Sequence, residues 1–322
     1  MSRMVGERHR WVWLAAAESA VIAVELCRYN WIYVAIGSAV VMGFNLIMDR
    51  VVPEIGLAEI MSQIKVVGKF LLAVSLLWFV VVLVWAAGLA GKAFPTVGNS
   101  PLLGWILLGL AAWGSMKGAD ACAACSGVLC LFLLALYGTV AVFSIGDVRM
   151  EYLRLNGEPE DAIRCIGLLL TASAVWYLPS NRSRKKRMWD IAVILLAGAT
   201  LLAAITGGVL SPELAAEAQV PLYAVAQSVS LFGVVERIEP LLSAAMTMGI
   251  FALLSAMANV CKTIGNQIRP WKYYDGLACA AAAIMLLVVK KIDTLWLAAG
   301  GGIVCVLLPV LVIAAGKRKN NY

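Results

Sequence analysis

The chain has 322 residues, of which 62% are hydrophobic and 14% charged, and it carries a net charge of +7. Its mean hydropathy is +0.88 and its isoelectric point is near 9.0. Soluble domains are about 45–50% apolar and about 25% charged, so this composition excludes a water-soluble fold of ordinary surface. Surplus Lys and Arg can signal nucleic-acid binding, but here they cluster at the ends of apolar blocks, where membrane topology explains them. Acidic lipid headgroups, not nucleic acid, are the expected neighbours.

The apolar residues fall into about ten blocks, each near the ~20 residues a helix needs to cross the hydrocarbon core. The first is Trp11–Cys27, which follows Arg3, Arg8 and Arg10 and has no A-x-A site at its end, so no cleaved signal is expected. It is short and carries Glu18 and Glu25, which makes it the atypical member. Trp31–Met48 follows, then a more polar stretch read as a surface helix over Pro53 to Ile64. The third block is Val66–Gly91, and a turn-rich loop over Pro95 to Pro101 leads to Leu102–Met116 and Ala119–Ile145. A polar stretch from Asp147 to Asp161 separates these from the sixth block, Ala162–Leu178, which stops at Pro179. The strongest basic cluster comes next (Arg182, Arg184, Lys185, Lys186, Arg187), before Met188–Leu210. Pro221–Gly233 reads as a short interfacial or re-entrant segment. The last three blocks are Ile238–Cys261, Tyr273–Val289 and Leu295–Ala315, and the chain ends on Lys317, Arg318 and Lys319.

With the N-terminus in the cytoplasm, 18 Lys and Arg fall on the cytoplasmic side and 8 on the other. The positive-inside rule then places both termini in the cytoplasm, which an even number of spans satisfies. Backbone hydrogen bonds must close within each segment in lipid, so the expected class is an all-α integral membrane protein, one polytopic domain over 1–322. Small residues in the fourth and fifth blocks, including Gly114-x-x-x-Gly118, suit tight packing within one bundle.

Chemistry-bearing residues are few. Of eight cysteines, Cys122-x-x-Cys125 is half of a zinc or redox pattern, but no second pair accompanies it and the single histidine is His9. No cofactor or metal is expected, and no phosphate loop or nucleophile elbow argues for an enzyme. Ionisable groups inside a span are expensive, roughly 2.5–3.5 kcal/mol at mid-helix, and therefore functional candidates. Glu18 and Glu25, seven residues apart, share a helix face. They line a polar cavity or relay protons, or Glu18 pairs with a neighbouring helix while Glu25 sits at the interface. In the sixth block, Gly167, Thr171 and Ser173 either mark unwound backbone at a substrate site or, for the hydroxyls, simply bond back to their own helix. Glu236, Arg237 and Glu239 open the eighth block and read as a solvated helix end.

Several of these stretches resemble the spore-germination permease family (GerAB type) of the amino acid–polyamine–organocation transporter superfamily. The similar motifs are Phe94-Pro95-Thr96 to Ser100-Pro101, Lys117-Gly118-Ala119-Asp120, Glu236-Arg237-Ile238-Glu239, Arg28 to Trp31, and Trp176-Tyr177-Leu178-Pro179. The resemblance covers roughly residues 28 to 316. It departs at the first span, which lacks the family's Gly-rich break and following Pro, and at Ala124 and Cys125, where the family often has an Arg. It implies a LeuT-like bundle of ten helices in a 5+5 inverted repeat. It also implies a nutrient-sensing B-type subunit of a germinant receptor, beside A-type and C-type subunits in the spore inner membrane. The implied ligand is a small amino acid or similar nutrient, held by Glu18 and Ser19 from the first span and Gly167, Thr171 and Ser173 from the sixth. Two other functions stay open: a proton-coupled amino acid transporter with Glu18 as proton carrier, and a non-transporting assembly scaffold.

Overall fold

In the computed structural model, the described residues are 5–52, 56–94, 101–154, 157–181, 189–228, 239–271, 273–289 and 292–319. They are helical almost throughout. Among the described residues, five helices are long and apolar enough to cross a membrane: Trp31–Val51, Val66–Ala93, Ala119–Asp147, Pro240–Ile268 and Thr294–Ile313. Large apolar side chains stand on the outside of the bundle, among them Ile47, Leu77, Val128, Val142 and Ile284. A polar solvent would penalise that surface and lipid does not. The protein is a multi-pass helical membrane protein.

In chain order the helices are α1 (Glu7–Val24), α2 (Trp31–Val51), α3 (Leu57–Ser62), α4 (Lys65–Ala93), α5 (Leu102–Lys117), α6 (Ala119–Ser144) and α7 (Pro159–Leu170). There follow α8 (Trp189–Val209), α9 (Pro212–Glu217), α10 (Pro221–Ser228), α11 (Glu239–Ile268), α12 (Tyr274–Val288), α13 (Thr294–Gly302) and α14 (Leu308–Lys319). A single π turn, Ile303–Leu307, joins the last two into one rod. Helix starts follow their caps. The Asn30 side chain accepts the Ile32 N–H at α2, and Asp293 accepts the Leu295 N–H at α13. At α7, Glu158 and Asp161 form a reciprocal capping box around Pro159. Gly118, at φ +107°, turns the chain from α5 into α6 in one residue, a conformation costly for any side chain with a Cβ.

Two groups of helices pack together. α4, α5, α11 and α12 all touch one another, and α4 against α11 is the most extensive pair. Around them α2 packs on α7 and α8, and α7 packs on α13. α1 runs between the groups, touching α6, α8 and α11, and every residue from Arg10 to Cys27 is buried. Eighteen residues rise about 27 Å, close to the hydrocarbon thickness of ~30 Å. α1 is not among the five long apolar helices because Glu7, Arg8, Arg10 and Glu18 interrupt it. Neighbouring helices rather than lipid meet its surface.

Three local expectations change. The surface helix expected over 53–64 is the shorter α3, and its Leu57, Ala58 and Met61 are buried against the bundle. The sixth block is not one α-helix: α7 ends at Leu170 and a 3₁₀ run continues over Thr171–Tyr177. The run is tightened, not unwound. Immediately beyond it, Ser180–Asn181 pairs in parallel with Val5–Gly6, so the entry to α1 and the exit of the 3₁₀ run are stitched together. The basic cluster 182–187 and the charged residues 236–237 lie outside the described residues.

Candidate functional site

Inside the bundle, four side chains from three elements share one polar network. α2 buries the stripe Val34, Gly37, Ser38, Val41, Asn45 and Met48, a spacing of three to four that puts Asn45 on its inward face. The Asn45 amide nitrogen donates to Glu18 Oε1 at 3.1 Å. Its oxygen accepts from Ser173 Oγ at 2.9 Å and from the Trp176 indole nitrogen at 2.8 Å. Only this amide orientation gives the indole N–H an acceptor, so the network fixes it. All four residues are buried, and Glu18 Oε2 has no hydrogen-bond partner.

Trp176 anchors the site from the other side. Its ring meets Trp11 edge-on with centroids 5.7 Å apart, and the Arg10 guanidinium lies over it at 5.0 Å. Arg10 also donates to the carbonyl of Leu178, the residue that follows the 3₁₀ run. The next residue, Tyr177, donates to the Val304 carbonyl at 2.9 Å and packs edge-on against Phe79. The 3₁₀ segment is thereby held to α1, α2, α4 and the π turn at once. A carboxyl with one open lone-pair site, beside a bridging amide in an apolar core, can accept a proton or a donor group such as an ammonium. Burial of the whole network lowers the local dielectric, which strengthens any such contact.

The structure brings together two of the five residues proposed from sequence, Glu18 and Ser173. Ser19 neighbours Glu18 but turns its hydroxyl back to the Ala16 carbonyl at 2.9 Å, while its own carbonyl faces the Tyr137 hydroxyl at 3.5 Å. Thr171 likewise bonds back to Leu168 O at 2.6 Å. Gly167 serves a helix crossing: a Cβ there would sit 2.3 Å from the Ala298 Cα and Cβ, so α7 and α13 touch backbone to backbone only because it is glycine. Sequence reasoning missed Asn45 and Trp176. A signal for Asn45 was present, since it continues the stripe of small and polar residues Gly37 and Ser38 on α2.

Two further polar groups sit at opposite ends of the bundle. Asp275 of α12 is buried, bound by Ser115 Oγ at 2.6 Å and by Lys262 Nζ at 2.9 Å, and Lys262 also reaches the Ser115 carbonyl at 2.9 Å. This clamp ties α5, α11 and α12 at one end. Glu25, just past the end of α1, meets Lys92 at 2.7 Å and Arg28 at 3.5 Å and is buried. No protein-family model matches the chain, and no curated protein is significantly similar to it.

Proposed function

We propose that the protein is a membrane-embedded, nutrient-sensing subunit of the germinant-receptor B type, built as ten spans in a LeuT-like 5+5 inverted repeat. The observation that carries this reading is the buried network of Glu18, Asn45, Ser173 and Trp176, which joins the first helix to the sixth span where the family resemblance puts a substrate site. The order of elements supports the repeat: helix, helix, short helix, long helix, helix, helix runs from α1 to α6. The same order runs from α7 to α14, with α9 and α10 as the short pieces. In this reading a small amino acid binds one conformation of the network better than another, and A-type and C-type subunits in the spore inner membrane respond to the shift. Both termini face the cytoplasm.

A second reading, a proton-coupled amino acid transporter, is favoured by one observation. Glu18 Oε2 is buried without a partner, as a proton-carrying carboxyl in a membrane helix would be.

The test is germination on amino acids in a strain whose own copy is replaced by variants, with protein level in the membrane checked by immunoblot. Ser173→Leu and Asn45→Leu are expected to slow amino-acid-triggered germination at least tenfold after correction for any fall in protein level. Thr171→Leu is expected to act only through protein level, because its hydroxyl bonds within its own turn. Normal germination in both Ser173→Leu and Asn45→Leu would remove the site. Saturable amino acid uptake by the reconstituted protein, lost in Glu18→Gln, would select the transporter instead.

A further inference from the structure

At the end of the bundle where α1 finishes and α7 and α13 begin, a cavity of about 780 Å³ opens between α1, α4, α7 and the α12–α13 connection. That volume lies within the ~300–1,000 Å³ range of small-molecule sites. Its lining has two electrically distinct ends. On the α1–α4 side, Arg28 and Lys92 share the single carboxylate of Glu25, leaving one positive charge in excess. On the α7–α13 side, Asp161 and Asp293 line the cavity with only Arg164 as cation, and its guanidinium is spread between Asp161 at 3.8 Å and Glu160 at 3.7 Å, which leaves this end in negative excess. Arg164 reaches Asp161 only at 3.8 Å, and the Nε atoms of both Arg28 and Arg164 are buried without an acceptor. Between the two ends the wall is apolar, from Val84 and Leu89 of α4 to Leu286 and Val289 at the end of α12.

Gly88 shows that the space is built into α4. It is the one exposed residue in the otherwise buried run Val82–Ala90, it lines the cavity, and a Cβ placed on it would meet no atom within 4 Å. A larger residue would fit the helix and be favoured by its propensity, yet it would fill the cavity.

We propose that this cavity binds a zwitterionic amino acid with an aliphatic side chain. Its carboxylate faces Arg28 and Lys92, its ammonium faces Asp161 and Asp293, and its side chain lies on the apolar wall. Guanidinium forks suit carboxylates geometrically, and a bipolar lining discriminates against ions of either single charge by leaving one end uncompensated. That the cavity opens away from the cytoplasm rests on the topology in the reading above; its chemistry does not.

The experiment is equilibrium binding of radiolabelled glycine, L-alanine, L-valine and L-leucine to the purified full chain in nanodiscs. Saturable L-valine binding is expected, with isobutylamine and 3-methylbutanoate, each lacking one charge of valine, competing at least tenfold more weakly. Gly88→Leu is expected to lower affinity at least tenfold with an unchanged thermal midpoint. Lys92→Gln and Asp293→Asn, the latter keeping the α13 cap, should each lower it at least threefold. Cys125→Ser, on an exposed thiol remote from the cavity, should leave it unchanged. Binding that survives Gly88→Leu but disappears in Ser173→Ala overturns this proposal and places the ligand at the inner network. Absence of binding by all four amino acids also overturns it. The germination assay above decides the functional reading on its own.

Discussion

Glu25 meets two cations, Lys92 at 2.7 Å and Arg28 at 3.5 Å, whereas Glu18, two turns earlier on the same face of α1, meets one neutral amide at 3.1 Å. Both are buried, at 2% and 1% exposure. At the C-terminal end of α1 the carboxylate is compensated by charge and faces a cavity. In the middle of the helix it is compensated by one hydrogen bond and is closed in by the bundle. An acidic residue in a span therefore has two physically different solutions. The ion-paired one tolerates loss of a partner because a second cation and solvent remain. The hydrogen-bonded one depends on a single residue, Asn45, that also serves two other donors.

This contrast can be broken in four measurements of unfolding in detergent. Asn45→Leu strands Glu18, Ser173 and Trp176 together and is expected to cost about 2–4 kcal/mol, since each unsatisfied buried group costs roughly 1–3 kcal/mol and neighbours relax. Lys92→Gln should cost about 1 kcal/mol, because Lys92 is half-exposed and Arg28 stays on Glu25; the loss should shrink as salt rises. A cost for Lys92→Gln equal to that of Asn45→Leu would erase the distinction. Glu18→Gln keeps the shape and the acceptor for Asn45 and is expected to change stability by less than about 1 kcal/mol. If it proves as damaging as Asn45→Leu, the carboxylate rather than the amide holds the network. Thr171→Val should be smallest, within about 0.5 kcal/mol, because the lost hydroxyl bond is internal to its own turn. A cost above about 1 kcal/mol there would bring Thr171 back into the site.

The apolar blocks were legible because lipid imposes a simple rule on length and polarity; every block read from composition contains a helix, and among the described residues five helices are long and apolar enough to cross a membrane. What lay beyond that rule was legible only in part. Glu18 stood out as a charge in an apolar run, and Ser173 as a hydroxyl in the sixth block. Asn45 did not, because one uncharged amide barely alters the hydropathy of Trp31–Met48. Trp176 read as the end of a span, although its indole N–H is a donor that must be satisfied when buried. Gly167 shows the limit most clearly. A glycine that admits a neighbouring helix and one that exposes backbone to a ligand look identical in sequence, and only the position of Ala298 separates them.

The burial of α1 also constrains how the protein is made. This helix leaves the ribosome before the groups that satisfy it: Asn45 from α2, the 3₁₀ run, and the Ala252 carbonyl of α11, which accepts the Trp13 indole N–H at 2.8 Å. At synthesis rates of roughly 5–20 residues per second, about 10–50 s separate Trp13 from its acceptor. During that interval a segment carrying Arg10, Glu18 and Glu25 has no finished interior to enter. Its polar groups therefore stay unsatisfied until those partners have been made, and the pairing of Val5–Gly6 with Ser180–Asn181 cannot form before residue 181 has been synthesised.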